Sequence, residues 1–185
     1  ARARMTNASK WFNPLPFNLV ASSDSLSFEV MAEGETALPL PPHPGAFGVV
    51  RKHHRHEGVD LYAPEGTEVR AVEGGTVVAV IDFTGEKAGS PWWHDTQAVL
   101  VEGASGVVLY GEISTKLNIG ETLHAGDLIG QIKTVLKEDK GRPLSMLHLE
   151  LYNKGAREAV EWPVDLQSAP AGLCDPTPYL RKLAR

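Results

Sequence analysis

Apolar runs of about four to eight residues, separated by glycine and proline, fill the chain from about residue 45 onward. Runs of this length between turn signals are typical of β-strands, because helices need longer stretches of 3.6-residue periodicity. The β-branched run Thr76–Ile81 follows the turn residues Glu73–Gly75 and predicts a buried strand. The fold class is therefore predicted to be mainly β. Further strands are predicted at Glu68–Val72, Gln97–Glu102, Gly106–Tyr110, Leu128–Ile132 and Ser145–Tyr152.

The last of these strands alternates leucines with polar or aromatic residues. Successive side chains of a strand point to opposite faces, so the leucines are expected to pack in the core. His148 and Glu150 then face a second layer, a cleft or water. This makes His148 a candidate functional residue. The leucines are Leu147, Leu149 and Leu151.

The regularity of the strand pattern divides the chain into three parts. Residues 1–44 are proline-rich and predict an extended N-terminal arm, with a strand near Phe28–Val30. Residues 45–155 carry the strand pattern and predict one β domain. Residues 156–185 predict a C-terminal tail that packs on this domain and ends in a short helix near Tyr179–Arg185.

Composition excludes several partners. The 185 residues carry 18 Lys+Arg and 23 Asp+Glu, a net charge of −5, with no basic stripe, so we expect no nucleic-acid partner. No apolar run reaches the roughly 18–20 residues of a membrane span. The first residues show no signal-peptide apolar region, so the sequence leaves the compartment open.

A metal site in this chain must use histidine and carboxylate ligands, because Cys174 is its one cysteine. The densest group of such residues surrounds His56 and Asp60, which are four positions apart. Gly58 disfavours a helix here, but side chains at i and i+4 also share a face in an extended chain. Zinc needs about four donors, and His148 is the natural third protein ligand. On the residues alone, a chance pair and a half-exposed strand histidine remain open alternatives.

Several motifs occur in one order and at compatible spacing over roughly residues 45 to 155. They are Gly45–Gly48, His56–Ala71, Gly75–Val78, Val108–Tyr110, Ile119–Gly120, Ala125–Gly130 and Leu147–Leu151. Together they resemble the lysostaphin/LytM-type zinc metalloendopeptidases, which are peptidoglycan hydrolases. The resemblance implies a single antiparallel-sheet domain with a groove, in which His56, Asp60 and His148 bind zinc with an open position for water. It also implies a peptide or peptidoglycan-like substrate, and it favours an extracytoplasmic location.

Both catalytic histidines of that family are replaced. Met146 stands at the first position of the family's His-x-His motif, and Glu112 stands at the histidine of its Tyr-x-His motif. A methionine neither accepts a proton nor stabilises an oxyanion, whereas a glutamate beside a zinc-bound water can act as a general base. Glu112 is therefore the candidate catalytic base. Glu150 is expected to orient a ligand histidine.

Two other groups are candidate substrate contacts. Trp92, Trp93 and His94 lie in a loop between strands, where indoles could bind an apolar or sugar face, or could simply cover the end of the sheet. Arg51 and Arg55 precede His56 and could bind a substrate carboxylate, or could belong to a solvated loop. The remaining histidines receive no role: His43, His53, His54 and His124.

Two functions follow from these observations. The first is a zinc metallopeptidase that hydrolyses cell-wall or similar peptides with zinc-bound water and Glu112 as proton acceptor. The second is a catalytically degenerate zinc-binding module that binds a peptide or glycan without hydrolysis, which the loss of two imidazoles favours. Hydrolysis of another amide or ester is a weaker third hypothesis. The three ligands alone suit either function, since a structural zinc would keep them too, but the match in both fold and ligands favours the metallopeptidase slightly.

Overall fold

β-Strands are the main regular secondary structure of the chain that the structure, a computed structural model, describes, namely residues 10–24 and 31–184. The predicted strand near Phe28–Val30 lies outside the described residues. A 3-10 helix at Glu86–Ala88 follows the longest strand. In chain order the elements are β1 (Asn18–Ser22), β2 (Glu35–Pro39), β3 (Val59–Tyr62), β4 (Glu68–Arg70), β5 (Gly75–Thr84), β6 (Thr96–Gly103), β7 (Gly106–Ser114), β8 (Thr122–Leu123), β9 (Leu128–Ile132), β10 (Met146–Tyr152), β11 (Leu173–Cys174) and α1 (Thr177–Arg181).

Nine of these strands form one antiparallel sheet, whose main path runs β11-β10-β7-β6-β5-β8. Strand β3 pairs with β10, β9 pairs with β7, and β4 pairs with β9. Strands β1 and β2 form a separate parallel pair in the N-terminal arm. The prediction of a mainly β protein with one antiparallel sheet is confirmed.

Strand β10 is buried on both faces. Its three leucines lie in the larger hydrophobic cluster with residues of β5, β6 and β7, as the alternation predicts. The opposite face carries His148, Glu150 and Tyr152, all of which are also buried. Tyr152 and Trp162 belong to a second hydrophobic cluster on that face, so the C-terminal tail covers the side of the sheet that carries His148.

The arm and the tail meet on the domain. The Trp11 indole N–H donates to Glu73 Oε1 at 3.1 Å, and the ring stacks on Tyr179 with centroids 4.6 Å apart. Helix α1 begins two residues before the predicted position, because Pro178 sits in its first turn, where a missing N–H costs nothing. The limits 1–44, 45–155 and 156–185 stay predictions. In the described part of the chain, no helix is long and apolar enough to cross a membrane.

Gly58 allows β3 and β10 to approach each other. It precedes Val59, which pairs with Leu149, and a Cβ on Gly58 would lie 2.1 Å from the Leu149 carbonyl oxygen. That oxygen is backbone in the middle of a sheet and cannot move aside. The contact therefore requires glycine between His56 and Asp60.

Gly58→Ala is expected to lower the free energy of unfolding by roughly 2–4 kcal/mol, because the methyl group forces the two strands apart. Urea unfolding of the metal-free protein measures this loss. Gly34→Ala is the control, since Gly34 has a φ of +79° but nothing lies within 4 Å of the place that its new methyl group would take. It should lose only about 1 kcal/mol, through backbone strain alone. Equal losses in the two variants would contradict the close approach.

Candidate metal centre

The pairing of β10 with β3 places His148 directly opposite Asp60. In an antiparallel pair such residues share a face of the sheet, with Cβ atoms about 5 Å apart. His148 Nδ1 lies 2.8 Å from Asp60 Oδ1, and His56 Nε2 lies 3.3 Å from the same oxygen. One donor atom from each of the three residues falls within 4.8 Å of the others, and all three residues are buried. The structure thus brings together the three residues that the sequence analysis selected as metal ligands.

His56 reaches this position from the loop before β3. Its backbone N–H donates to the Val49 carbonyl at 2.9 Å, and its carbonyl accepts from the Gly48 N–H at 2.8 Å, so the loop folds back on itself. The chain then bends at Gly58 and enters β3. This bend lets residues four apart in the sequence point to one site, although His56 is not itself in a strand.

In each candidate ligand histidine, the ring nitrogen that points away from Asp60 contacts a second residue. His56 Nδ1 lies 3.1 Å from the Ala46 carbonyl, which accepts its proton and leaves Nε2 facing Asp60. His148 Nε2 lies 2.6 Å from Glu150 Oε2, which leaves Nδ1 facing Asp60. Such outer contacts fix the tautomer and direction of a ligand, and metal-binding histidines usually have them. The expectation that Glu150 orients a ligand histidine agrees with this contact.

These distances suit zinc. Donors about 2.0–2.2 Å from a tetrahedral zinc lie roughly 3.3–3.6 Å from one another. His56 Nε2 is already 3.3 Å from Asp60 Oδ1, and His148 Nδ1, at 2.8 Å, needs only a small outward shift to admit the ion. Two imidazoles and one carboxylate are a common donor set for a catalytic zinc with an open position. The residues therefore fit the metal that the resemblance implies.

The charges of the site are strongly coupled. Burial alone would raise the pKa of Asp60, but the charge of His56 and the hydrogen bonds from both histidines hold it well below its usual range. Burial alone would lower the pKa of His148, but its hydrogen bonds to Asp60 and Glu150 hold it well above 6.5. In the metal-free protein a charged His148 thus bridges two carboxylates, and a metal must displace the proton on its Nδ1.

Glu112 occupies a β-bulge at the edge of the site. Strand β6 pairs Ala98 with Gly111 and Gln97 with Ile113, which leaves Glu112 as the extra residue of β7. It has a φ of +65°, and no other non-glycine residue in the described ranges has a positive φ. A bulge with its first residue in this left-handed region normally uses glycine. Such strain in a non-glycine residue is commonest where function requires the side chain.

The bulge marks the point where β7 changes neighbour. Gly111 pairs with His148 of β10, whereas Ile113, two residues later, pairs with Ile132 of β9. The extra residue, Glu112, lies between these two pairings and follows directly after the partner of His148. The structure therefore places Glu112 near His148 and Asp60, whose charges act on its carboxyl.

The Glu112 carboxyl is partly unsatisfied. The residue as a whole is half-buried, but its Oε2 atom is out of reach of solvent and has no hydrogen-bond partner among the described residues. Burial, together with the charge of Asp60, raises the pKa of Glu112 to about 8. A buried polar atom without a partner is unfavourable, and a bound ion or its water would satisfy it. This is a second indication that the site fits a metal.

The first position of the family's His-x-His motif carries an apolar side chain in this chain. Met146 begins β10, points to the same face as His148 two residues later, and is buried. Phe83 packs beside His148 with ring centroids 5.5 Å apart. Of the two positions at which the family resemblance expects a catalytic histidine, only residue 112 therefore carries a group that can exchange a proton.

The tryptophan loop is anchored next to the segment that leads into β10. Trp93 forms a β-bridge with Leu136, and the His94 N–H donates to the Val135 carbonyl at 2.8 Å. The Trp92 side chain is 63% exposed, and its ring meets that of Trp93 edge-on at 5.8 Å. His94 is exposed as well. Substrate contacts by these three residues stay predictions.

Arg51 and Arg55 both donate hydrogen bonds to other residues of the protein. Arg51 Nη2 donates to Asp60 Oδ2 at 3.3 Å and to the Pro44 carbonyl at 2.6 Å, so Arg51 contacts a candidate ligand on the oxygen away from the histidines. Arg55 Nε donates to the carbonyl of Val164 in the tail at 3.1 Å. Binding of a substrate carboxylate by Arg51 and Arg55 stays a prediction.

Sequence reasoning gave no role to a third histidine near the site. His43 is fully buried, its ring lies 6.1 Å from that of Tyr62, and burial lowers its pKa despite the charge of Asp60. It lies in the proline-rich part of the arm, and no local pattern distinguishes it there.

The sequence of the chain matches the model of a known protein family. The model for peptidase family M23 matches residues 54–160, which is more than half of the chain and contains all three candidate ligands. The chain belongs to peptidase family M23. Its membership and its fold support a peptidase-like function. No curated protein matches the M23 chain significantly.

The chain is also similar to several solved structures. The M23 chain is similar to a catalytic-domain variant of the prophage-encoded M23 protein EnpA from Enterococcus faecalis, with 20% identity, a TM-score of 0.50, and coverage of 77% of this chain and 99% of that one. It is also similar to the catalytic domain of the antimicrobial peptidase lysostaphin from Staphylococcus simulans, with 18% identity, a TM-score of 0.48, and coverage of 74% and 89%. The chain spans 56% of an M23 peptidase structure from Pseudomonas aeruginosa and 34% of Csd3 from Helicobacter pylori.

The raised pKa of Glu112 predicts a pH-dependent stability in metal-free protein. A carboxyl with a pKa of about 8 in the folded state and about 4.5 when unfolded keeps its proton only in the folded state between these values. Stability is therefore highest below pH 4.5 and is lost as the pH rises to 8, by roughly 2–4 kcal/mol from this group. Glu112→Gln should remove that part of the slope.

Urea unfolding at pH 5, 6.5 and 8 with a chelator present measures this effect. Glu68→Gln is the control, because Glu68 is an exposed residue of β4 and should leave the slope unchanged. A wild-type slope that Glu112→Gln leaves intact would show that Glu112 titrates normally.

Proposed function

We propose that the protein is a zinc-dependent peptidase that uses Glu112 as its proton-transferring residue. The observation that carries this proposal is the convergence of His56, Asp60 and His148 beside the unsatisfied Glu112 carboxyl. Membership of family M23 supports the reaction class. Cell-wall peptides or similar peptides are the substrate class that the family resemblance suggests.

The ligands and Glu112 divide the chemistry between them. Zinc bound by three protein ligands polarises a carbonyl and activates water near neutral pH. His56 and His148 present one lone pair each, because Ala46 and Glu150 hold their other ring nitrogens. A nearby dication would lower the pKa of Glu112 from about 8 toward neutrality. Glu112 can then take a proton from the attacking water and return it to the leaving amine.

The decisive variant is Glu112→Gln, because it keeps the size of the side chain but removes the proton acceptor. With zinc-loaded protein and peptidoglycan or glycine-containing peptides, we expect kcat to fall about 100-fold or more. Zinc affinity, measured by chelator competition, should stay within about threefold, since Glu112 is proposed to act on water rather than on the metal. His148→Ala should lose zinc binding and turnover together.

Further measurements distinguish a failure of zinc binding from a failure of catalysis by Glu112. Glu68→Gln should retain full turnover, because Glu68 is an exposed residue outside the site. Less than about 0.2 zinc per chain after loading would refute the metal site, since open three-ligand sites bind zinc well. Bound zinc with turnover unaffected by Glu112→Gln would refute the role of Glu112.

A zinc-binding module without hydrolysis is the second candidate. The buried Met146 favours it, because a methionine at this position supplies neither a proton acceptor nor an oxyanion donor. If wild-type protein binds zinc but turns over no peptide, and Met146→His with Glu112→His gains turnover, the native chain is such a module.

The tryptophan loop gives a separate prediction for the substrate. Trp92→Ala should raise KM about fivefold, the equivalent of losing about 1 kcal/mol of ring contact, while kcat and zinc affinity change less than twofold. Steady-state kinetics over a range of peptide or peptidoglycan concentrations measure this split. An unchanged KM would show that Trp92 only covers the end of the sheet. Phe12→Ala is the matched control, because Phe12 is an exposed aromatic residue of the N-terminal arm.

A further inference from the structure

Five residues that begin where the family match ends contact both the loop that carries His56 and, through side chains, the strand that carries His148. These residues, 160–164, are called the clasp. The clasp follows Tyr152 by eight residues and lies on the sheet face that carries His148, where Trp162 packs in the second hydrophobic cluster. The family model ends at residue 160, so most of the clasp lies beyond it.

The first set of contacts joins the clasp to the loop before His56. The Arg55 N–H donates to the Trp162 carbonyl at 2.8 Å, and His54 forms a β-bridge with Pro163. The Trp162 N–H donates to Glu57 Oε1 at 3.2 Å. These contacts involve the residues on both sides of His56, so the clasp fixes the backbone from which His56 extends.

The second set joins the clasp to His148 through two side chains. The Val160 N–H donates to the Tyr152 hydroxyl oxygen at 3.1 Å, and that hydroxyl donates to Glu150 Oε1 in a short hydrogen bond. The other Glu150 oxygen, Oε2, lies 2.6 Å from His148 Nε2. Both oxygens of a buried carboxylate are therefore used, one by the hydroxyl and one by the candidate ligand.

We propose that Tyr152 is a positioning residue that couples the clasp to His148 through Glu150. This inference rests on the proposed zinc site. Without the hydroxyl, Oε1 of the buried Glu150 would lose its donor, and a buried oxygen without a donor drives its carboxylate to rotate toward another one. That rotation weakens the hold on His148 Nε2 and frees the ring to turn away from Asp60.

Tyr152→Phe is a clean test, because it removes one oxygen and keeps a ring that is 2% exposed. We expect zinc affinity to fall about tenfold, the usual effect of losing a contact that orients a metal ligand. Tyr110→Phe is the matched control. The Tyr110 hydroxyl is equally buried and accepts from the Val72 N–H at 2.9 Å, but it does not contact Glu150. That variant should bind zinc within about twofold of wild type.

A measurement on metal-free protein makes the test independent of zinc. The ¹⁵N chemical shift of His148 Nε2 should move in Tyr152→Phe and stay in Tyr110→Phe, and the Val160 amide should exchange faster in Tyr152→Phe alone. If wild type binds no zinc, the proposed function fails while these shifts still decide the positioning. An unmoved Nε2 signal, or equal losses of zinc affinity in the two variants, would overturn the inference.

Discussion

The pairing of strand β10 with both β3 and β7 is the constraint on which the rest of the structure depends. It sets His148 opposite Asp60 on one side and opposite Gly111 on the other. Because side chains alternate along a strand, this register also sends the leucines of β10 into the larger core. A slip of one residue would turn His148 into that core and remove it from Asp60. Packing of the leucines thus enforces the geometry of the candidate metal centre.

The candidate centre carries more carboxyl groups than its ligand set needs. Asp60, Glu112 and Glu150 are all close to His148, and Arg51 supplies one guanidinium contact, to the far oxygen of Asp60. In the metal-free protein this excess of negative charge is balanced by protons on His148 and Glu112, whose pKa values are both raised. A dication replaces those protons as the balancing charge, so metal binding and proton release are linked.

The sequence was sufficient where the signal was local. The alternation in β10 predicted which of its residues face away from the leucines, and the spacing of His56 and Asp60 around Gly58 indicated a shared direction. It could not show that Glu112 sits on a bulge, because the extra residue exists only relative to the partner strand β6. The contacts of residues 160–164 with the loop before His56 were hidden for the same reason, since about a hundred residues separate them.

Glu112, which stands where the family resemblance expects a histidine, occupies a strained backbone position. An acidic side chain in a left-handed bulge costs backbone energy, and its unsatisfied Oε2 costs more. A chain that needed only a sheet could lower both costs with glycine at this position, the residue that such bulges normally contain. The presence of glutamate there favours a side chain retained for proton transfer over a site that only binds metal. Met146 weighs in the opposite direction, because its buried apolar side chain on the face of His148 supplies no proton acceptor, so the proposed hydrolysis depends on the Glu112 carboxyl.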